Sequence, residues 1–64
     1  MAEQLAQIEG LLIVHQTDKA YHFDNGLKKF LVPVSHVRSM EPEGVGEAYT
    51  VTMTEWIAIQ KGLV

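Results

Sequence analysis

The dipeptide Asn25-Gly26, set between two apolar segments, restricts this chain more than any other pair of residues in it. A two-residue type I′ turn needs positive φ at both central positions, which asparagine and glycine tolerate, so the pair predicts a tight antiparallel hairpin joining Ala20–Phe23 to Leu27–Val34. Centring the turn there sets Tyr21 opposite Phe30, His22 opposite Lys29 and Ala20 opposite Leu31. Upstream, Leu11–His15 is β-branched and apolar, and Gln16-Thr17-Asp18-Lys19 reads as the turn of a first hairpin, with Val14 near Tyr21 and Ile13 near His22. The pleat then deals Leu12, Val14, Tyr21, Phe23, Phe30 and Val32 to a core face. Ile13, His15, Ala20, His22, Lys29 and Leu31 fall on the other.

Before these strands, Leu5 and Ile8 stand at helical spacing, which predicts a helical turn or two over Met1–Ile8, ended by Gly10. After them, Pro33 predicts a strand that lies at an edge or ends there, because proline donates no ladder hydrogen bond. Ser35-His36-Val37 turns the chain, Val37–Met40 forms a brief strand, and Glu41–Glu47, with its proline and two glycines, reads as a solvated loop. Tyr49, Val51 and Met53 alternate with Thr50 and Thr52 in the pattern of a half-buried strand. The spacing Thr52-Met53-Thr54-Glu55 fits a capping box, Thr54 offers a second N-cap, and a short helix follows over Glu55–Lys61 with Gly62 at its left-handed end and Leu63 folded back. The expected fold is mainly β: a small, strongly bent antiparallel sheet or SH3-like or OB-like barrel with a short C-terminal helix, residues 1–64 forming a single domain. An open sheet with the helix packed on one face is the alternative.

Composition bounds what such a domain does. With 64 residues, 47% of them apolar, and no cysteine, the chain has neither a disulfide framework nor a thiolate metal site, so packing or a partner must supply its stability. Apolar runs such as Leu11–Val14 fall far short of the roughly 20 residues a bilayer requires, and the start Met1-Ala2-Glu3-Gln4 lacks the basic residues of a signal peptide. A cytoplasmic location without membrane contact is expected. The formal net charge of -3 disfavours duplex binding, which needs clustered Lys and Arg.

Two stretches carry a likeness. The run Lys19-Ala20-Tyr21-His22-Phe23 through Asn25-Gly26 to Phe30-Leu31-Val32-Pro33-Val34-Ser35-His36-Val37 resembles small uncharacterised proteins of phages and bacterial mobile elements, in which a strand reads V-W-I-P-K-S-Q-I. The close Thr54-Glu55-Trp56-Ile57-Ala58, then Lys61-Gly62-Leu63, is similar to the same group's P-E-W-L-A followed by K-G-L. Leu31 replaces the pattern's tryptophan, Val34 its lysine and Thr54 its proline, so contacts made by the first two in relatives do not carry over. The resemblance implies a phage or mobile-element accessory with a small barrel and no assigned reaction.

No general acid and base, phosphate loop, nucleophile constellation or metal cluster is legible, and no enzyme activity or cofactor is expected. Ser35 and His36 are adjacent, and neighbours on a strand point to opposite faces, which excludes the geometry of acyl transfer. His15 and His22 are expected diagonal to each other on the exposed face; with no cysteine or carboxylate pinned beside them they are read as solvated or packed imidazoles, not as a metal site. The outer face bearing Ile13, Ala20 and Leu31, with Pro33 beyond, is more apolar than solvent normally meets. Either the terminal helix covers it through Trp56 and Ile57, or the N-terminal segment does so through Leu5 and Ile8, or part stays open for a protein partner or self-association. Ile13, Leu31, Pro33, Val34 and Trp56 are the candidate contact residues, with Leu31, Val34 and Trp56 as anchors. The competing reading is a single-stranded nucleic-acid groove formed by Lys19, Lys28, Lys29 and Arg38, for which burial of Tyr21, Phe23 and Phe30 leaves few stacking surfaces.

Overall fold

A computed structural model describes residues 3–64. Five strands form one open antiparallel sheet in the order β3-β2-β1-β5-β4: β1 (Leu5–Gln16), β2 (Ala20–Asp24), β3 (Lys29–Pro33), β4 (Val37–Pro42) and β5 (Tyr49–Thr54). A 3-10 turn at Val34–His36 joins the two edge strands, and the six-residue helix α1 (Glu55–Gln60) closes the chain. The mainly β reading with a short C-terminal helix is the architecture found. Among the described residues no helix is long and apolar enough to cross a membrane.

The central strand β1 serves two ladders. Its first half pairs with β5, from Leu5 opposite Thr54 to Leu11 opposite Tyr49, and its second half pairs with β2, from Leu12 opposite Asp24 to Gln16 opposite Tyr21. The helical turn expected over 1–8 is therefore absent from the described part of that segment, which is strand from Leu5 onward; Met1 and Ala2 lie outside the described residues. Propensity loses here to the ladder with β5, whose own alternation supplies a ready edge. Gly10 does not stop the element. At φ 72° it takes the left-handed conformation of a bulge between Ile8 and Leu11, so one extra residue enters β1 against β5.

That extra residue changes which side chains face inward. Ala6 and Ile8 pack on the core before the bulge, Leu11 and Ile13 after it. A second bulge between Ile13 and His15 leaves Val14 as the surplus residue. Leu12 and Val14, expected in the core, are accordingly 42% and 50% exposed, and Ile13, expected outside, packs inward. A one-residue slip exchanges the two faces of a strand, and only the part of β1 beyond Val14 keeps the anticipated faces.

The second hairpin forms with a longer turn than a type I′ pair. Ladder partners run from Ala20 opposite Pro33 to Asp24 opposite Lys29, so residues 25–28 make the loop. Gly26 alone has positive φ. Instead of entering the left-handed region, Asn25 accepts backbone N–H bonds from Leu27 (2.9 Å) and Lys28 (2.8 Å), and Asp24 accepts one from Gly26 (2.7 Å). These side-chain turns outcompete the tighter geometry. The register moves by two residues, an even number, so Phe23 and Val32 still reach the core and Tyr21 and Phe30 pack against it.

Leu11, Phe23, Val32, Val51, Met53, Ile57 and Ala58 make one buried cluster drawn from both ladders and the helix. A single sheet delivers side chains from both of its ends to one interior only if it curls, and the bulges in β1 supply that bend. Tyr49, Val51 and Met53 point inward as their alternation predicts. Pro33 ends edge strand β3, and β4 extends to Pro42, two residues beyond the expected strand, because Glu41 and Pro42 pair with Thr50 and Tyr49. Both edges end in proline, which blunts further pairing. At the helix end, Gly62 donates to the Ile59 carbonyl (3.0 Å) and Leu63 to that of Ala58 (2.8 Å). With Gly62 at φ 71° this is a Schellman cap, and Leu63 returns to the core as expected.

Candidate functional site

The five residues expected to line an apolar contact face do not form one surface. Ile13 packs on the core, and Ala20, their expected neighbour, is buried at the end of β2. Leu31 stands on the outer face opposite His22 and is 38% exposed. Pro33 and Val34 are half-buried where β3 enters the 3-10 turn. Trp56 lies on the outer side of α1. The helix does not lay Trp56 over the hairpin; it turns Ile57 and Ala58 into the core and leaves the indole 61% exposed. The N-terminal segment does not cover the face either, since Ile8 packs on the core from within β1 and Leu5 is exposed.

Trp56 is nevertheless fixed. His36, the last residue of the 3-10 turn, stacks on the indole with ring centres 5.5 Å apart and planes inclined by 26°. The other side of that imidazole is tied down, its Nδ1 lying 2.9 Å from the Thr54 hydroxyl oxygen. Thr54 also accepts from the Ile57 N–H (3.4 Å) as the helix N-cap. One buried hydroxyl thus joins the start of α1 to the turn that carries the histidine. Sequence reading placed Thr54 at the cap and missed its second partner, because nothing local links position 54 to position 36. Ser35 and His36 sit on a turn, not a strand, and His36 Nδ1 is engaged by Thr54, so the excluded nucleophile pair finds no new support.

Beside this corner, Glu3 accepts two bonds from the Arg38 guanidinium, each 2.6 Å, and Arg38 donates a further bond to the Ser35 carbonyl. The Arg38 hydrogen bond holds the Glu3 carboxyl below its ordinary range, against a smaller opposing effect of desolvation, with the charges of Arg38 and His36 adding to the lowering. Arg38 is pushed up, mainly by the same bond. The fork-to-fork geometry anchors the chain just before β1 to β4.

The four cations of the nucleic-acid reading are dispersed in role. Arg38 is paired with Glu3, Lys28 donates its ammonium to the Lys61 carbonyl at the end of α1, and Lys29 faces Asp24 across the ladder. Lys19 stands exposed in the first turn. Phe23 is fully buried, stacked on Tyr21 at 5.7 Å and tilted against Phe30 at 5.9 Å, and the latter two rings are half-buried against the core.

Two shallow grooves flank the sheet. The larger, about 370 Å³, lies between Leu12–Ile13 and the turn Gly46–Tyr49. The smaller, about 230 Å³, separates Tyr21 and Val34 from Arg38–Met40. Neither gathers a group of titratable side chains, and among the described residues no three of His, Cys, Asp and Glu come together as a metal cluster. No family model matches the chain, and neither does any curated protein or solved structure.

Proposed function

We propose that this chain is a non-catalytic interaction module, an accessory protein of a phage or mobile element acting in the bacterial cytoplasm, which binds another protein or a second copy of itself through the corner formed by Trp56 and His36. The observation that carries the reading is the exposed indole held in place by a stacked, hydrogen-bonded imidazole. A large aromatic already fixed in orientation loses little freedom on binding and offers the apolar area that anchors interfaces. Of the three anchors anticipated from sequence, Trp56 stands at this corner, whereas Val34, which opens the same 3-10 turn as His36, lines the groove beside Tyr21 and Arg38–Met40, and Leu31 lies on the outer face opposite His22. The likeness to phage and mobile-element proteins, strongest over the strand that leads into this turn and over the helix, supports the assignment of origin. The nucleic-acid alternative draws less support, since two of its four cations are already engaged within the fold.

Trp56 is the chain's only tryptophan, so its fluorescence reports directly on the proposed surface. Association should shift the emission to shorter wavelength in step with the mass seen by light scattering, or on addition of a protein captured from bacterial extract. Trp56→Ala should abolish capture and self-association while leaving the melting temperature nearly unchanged. Emission that stays constant while mass rises would place the contact elsewhere. Quenching by a single-stranded oligonucleotide that disappears between low and moderate salt would favour the nucleic-acid reading.

A further inference from the structure

The outer faces of the two halves of the sheet differ in chemistry. Around β4 and β5 the outward positions are Ser39, Glu41, Thr50 and Thr52, whereas the outer face of β1 and β2 beyond Val14 carries His15 and His22. The two histidines are direct ladder partners, not diagonal neighbours, because the first hairpin closes with Gln16 opposite Tyr21. Their rings are 5.3 Å apart between centres, at an interplanar angle of 69°. His15 is exposed and His22 half-exposed, so both can change rotamer in solvent without disturbing the core.

That separation has a chemical meaning. With a Zn–N bond of about 2.0–2.1 Å and roughly 1.1–1.2 Å from the ligating nitrogen to the ring centre, two imidazoles on one tetrahedral ion have centres about 5.2 Å apart. At the right angle of a square-planar ion the same lengths give about 4.5 Å. The 5.3 Å separation of the rings is close to the tetrahedral value, the ladder pairing keeps both side chains on one face of the hairpin, and imidazole is a ligand such ions accept.

We propose that His15 and His22 form a bidentate site for Zn2+ on the outer face of the β1–β2 hairpin, with the two remaining coordination positions open to water or to donor atoms of another molecule. No third His, Cys, Asp or Glu joins them among the described residues, so the site is a chelating pair and not a closed structural centre. The Trp56 corner plays no part in it. Because the two histidines are held together only when the hairpin is formed, zinc binds the folded chain in preference to the unfolded one and raises its melting temperature.

Titration of the full chain with Zn2+, followed by calorimetry and by the histidine ring signals in NMR, tests this. Zn2+ should perturb the rings of His15 and His22, leave that of His36 in place and raise the melting temperature. His15→Gln and His22→Gln should each weaken binding by roughly a hundredfold, the loss expected when a linked second ligand is removed, while His36→Gln and Trp56→Ala bind as the parent does. Circular dichroism of the metal-free variants confirms that they are folded. Affinity no better than that of free imidazole, or affinity unchanged in either hairpin variant, overturns the proposal, and the Trp56→Ala result separates it from the association reading.

Discussion

Glu3 precedes the first strand by two residues and is exposed, yet its two bonds to Arg38 tie positions 35 apart in the chain. Exposed ion pairs contribute little as a rule, because water screens them and two long side chains must be held still. The bidentate geometry and the lowered carboxyl pKa give this one a recognisable pH signature. A group with a depressed folded pKa contributes stability that is present above its unfolded value, near 4.5, and lost as pH falls through the folded value. Glu3→Gln should therefore lower the melting temperature slightly at pH 7, and the difference from the parent should vanish in acid below that window and shrink in molar salt. A gap that stays constant from pH 7 to strong acid would show that the carboxylate's charge plays no part.

At the scale of the element, β1 decides how much of the fold its sequence discloses. The succession of two hairpins, though not their residue-by-residue registers, the edge role of Pro33, the alternation of 49–53 and the cap at Gly62 all follow from local chemistry and are present in the structure. What escaped is the bulge pair, since Gly10 reads equally as a helix stop and as a left-handed residue within a strand, and no local signal marks Val14 as surplus. Each bulge exchanges inner for outer residues, so the contact face built on Ile13 and Leu31 dissolved while the histidine pair beyond Val14 survived. The long-range partner that fixes the first bulge is Glu43. Its Oε2 accepts from the Gly10 N–H at 2.7 Å and from the Thr50 hydroxyl at 2.9 Å, clipping β1 to the base of the β4–β5 turn. Glu43→Ala removes both bonds at an exposed site, where each is worth about 0.5–1.5 kcal/mol. Hydrogen exchange at the Gly10 amide should accelerate well beyond that of Leu11, with a modest fall in melting temperature. Unchanged protection at Gly10 would mean that the bulge is set by the backbone alone.

For the molecule as a whole, size and topology predict a single cooperative unit. A chain of 64 residues at roughly 0.05–0.15 kcal/mol per residue has a total stability of about 3–10 kcal/mol. Truncating a fully buried phenylalanine costs about 3–5 kcal/mol, and Phe23 is such a residue, packed against Tyr21 and Phe30 on the β2–β3 side. Its loss is felt across the molecule because β1 belongs to both ladders and the buried cluster joins Phe23 to Val51, Met53 and Ile57. Phe23→Ala should thus unfold most of the population at room temperature, or leave a fold that melts at much lower temperature, with the Trp56 signal of α1 lost together with the strand signal. Leu27→Ser, at a loop tip 93% exposed, should leave the melting curve where it was. Were Trp56 fluorescence in the Phe23→Ala variant to keep its native value after the far-ultraviolet strand signal had gone, β5 and α1 would be folding apart from the hairpins, and β1 would not couple the two halves.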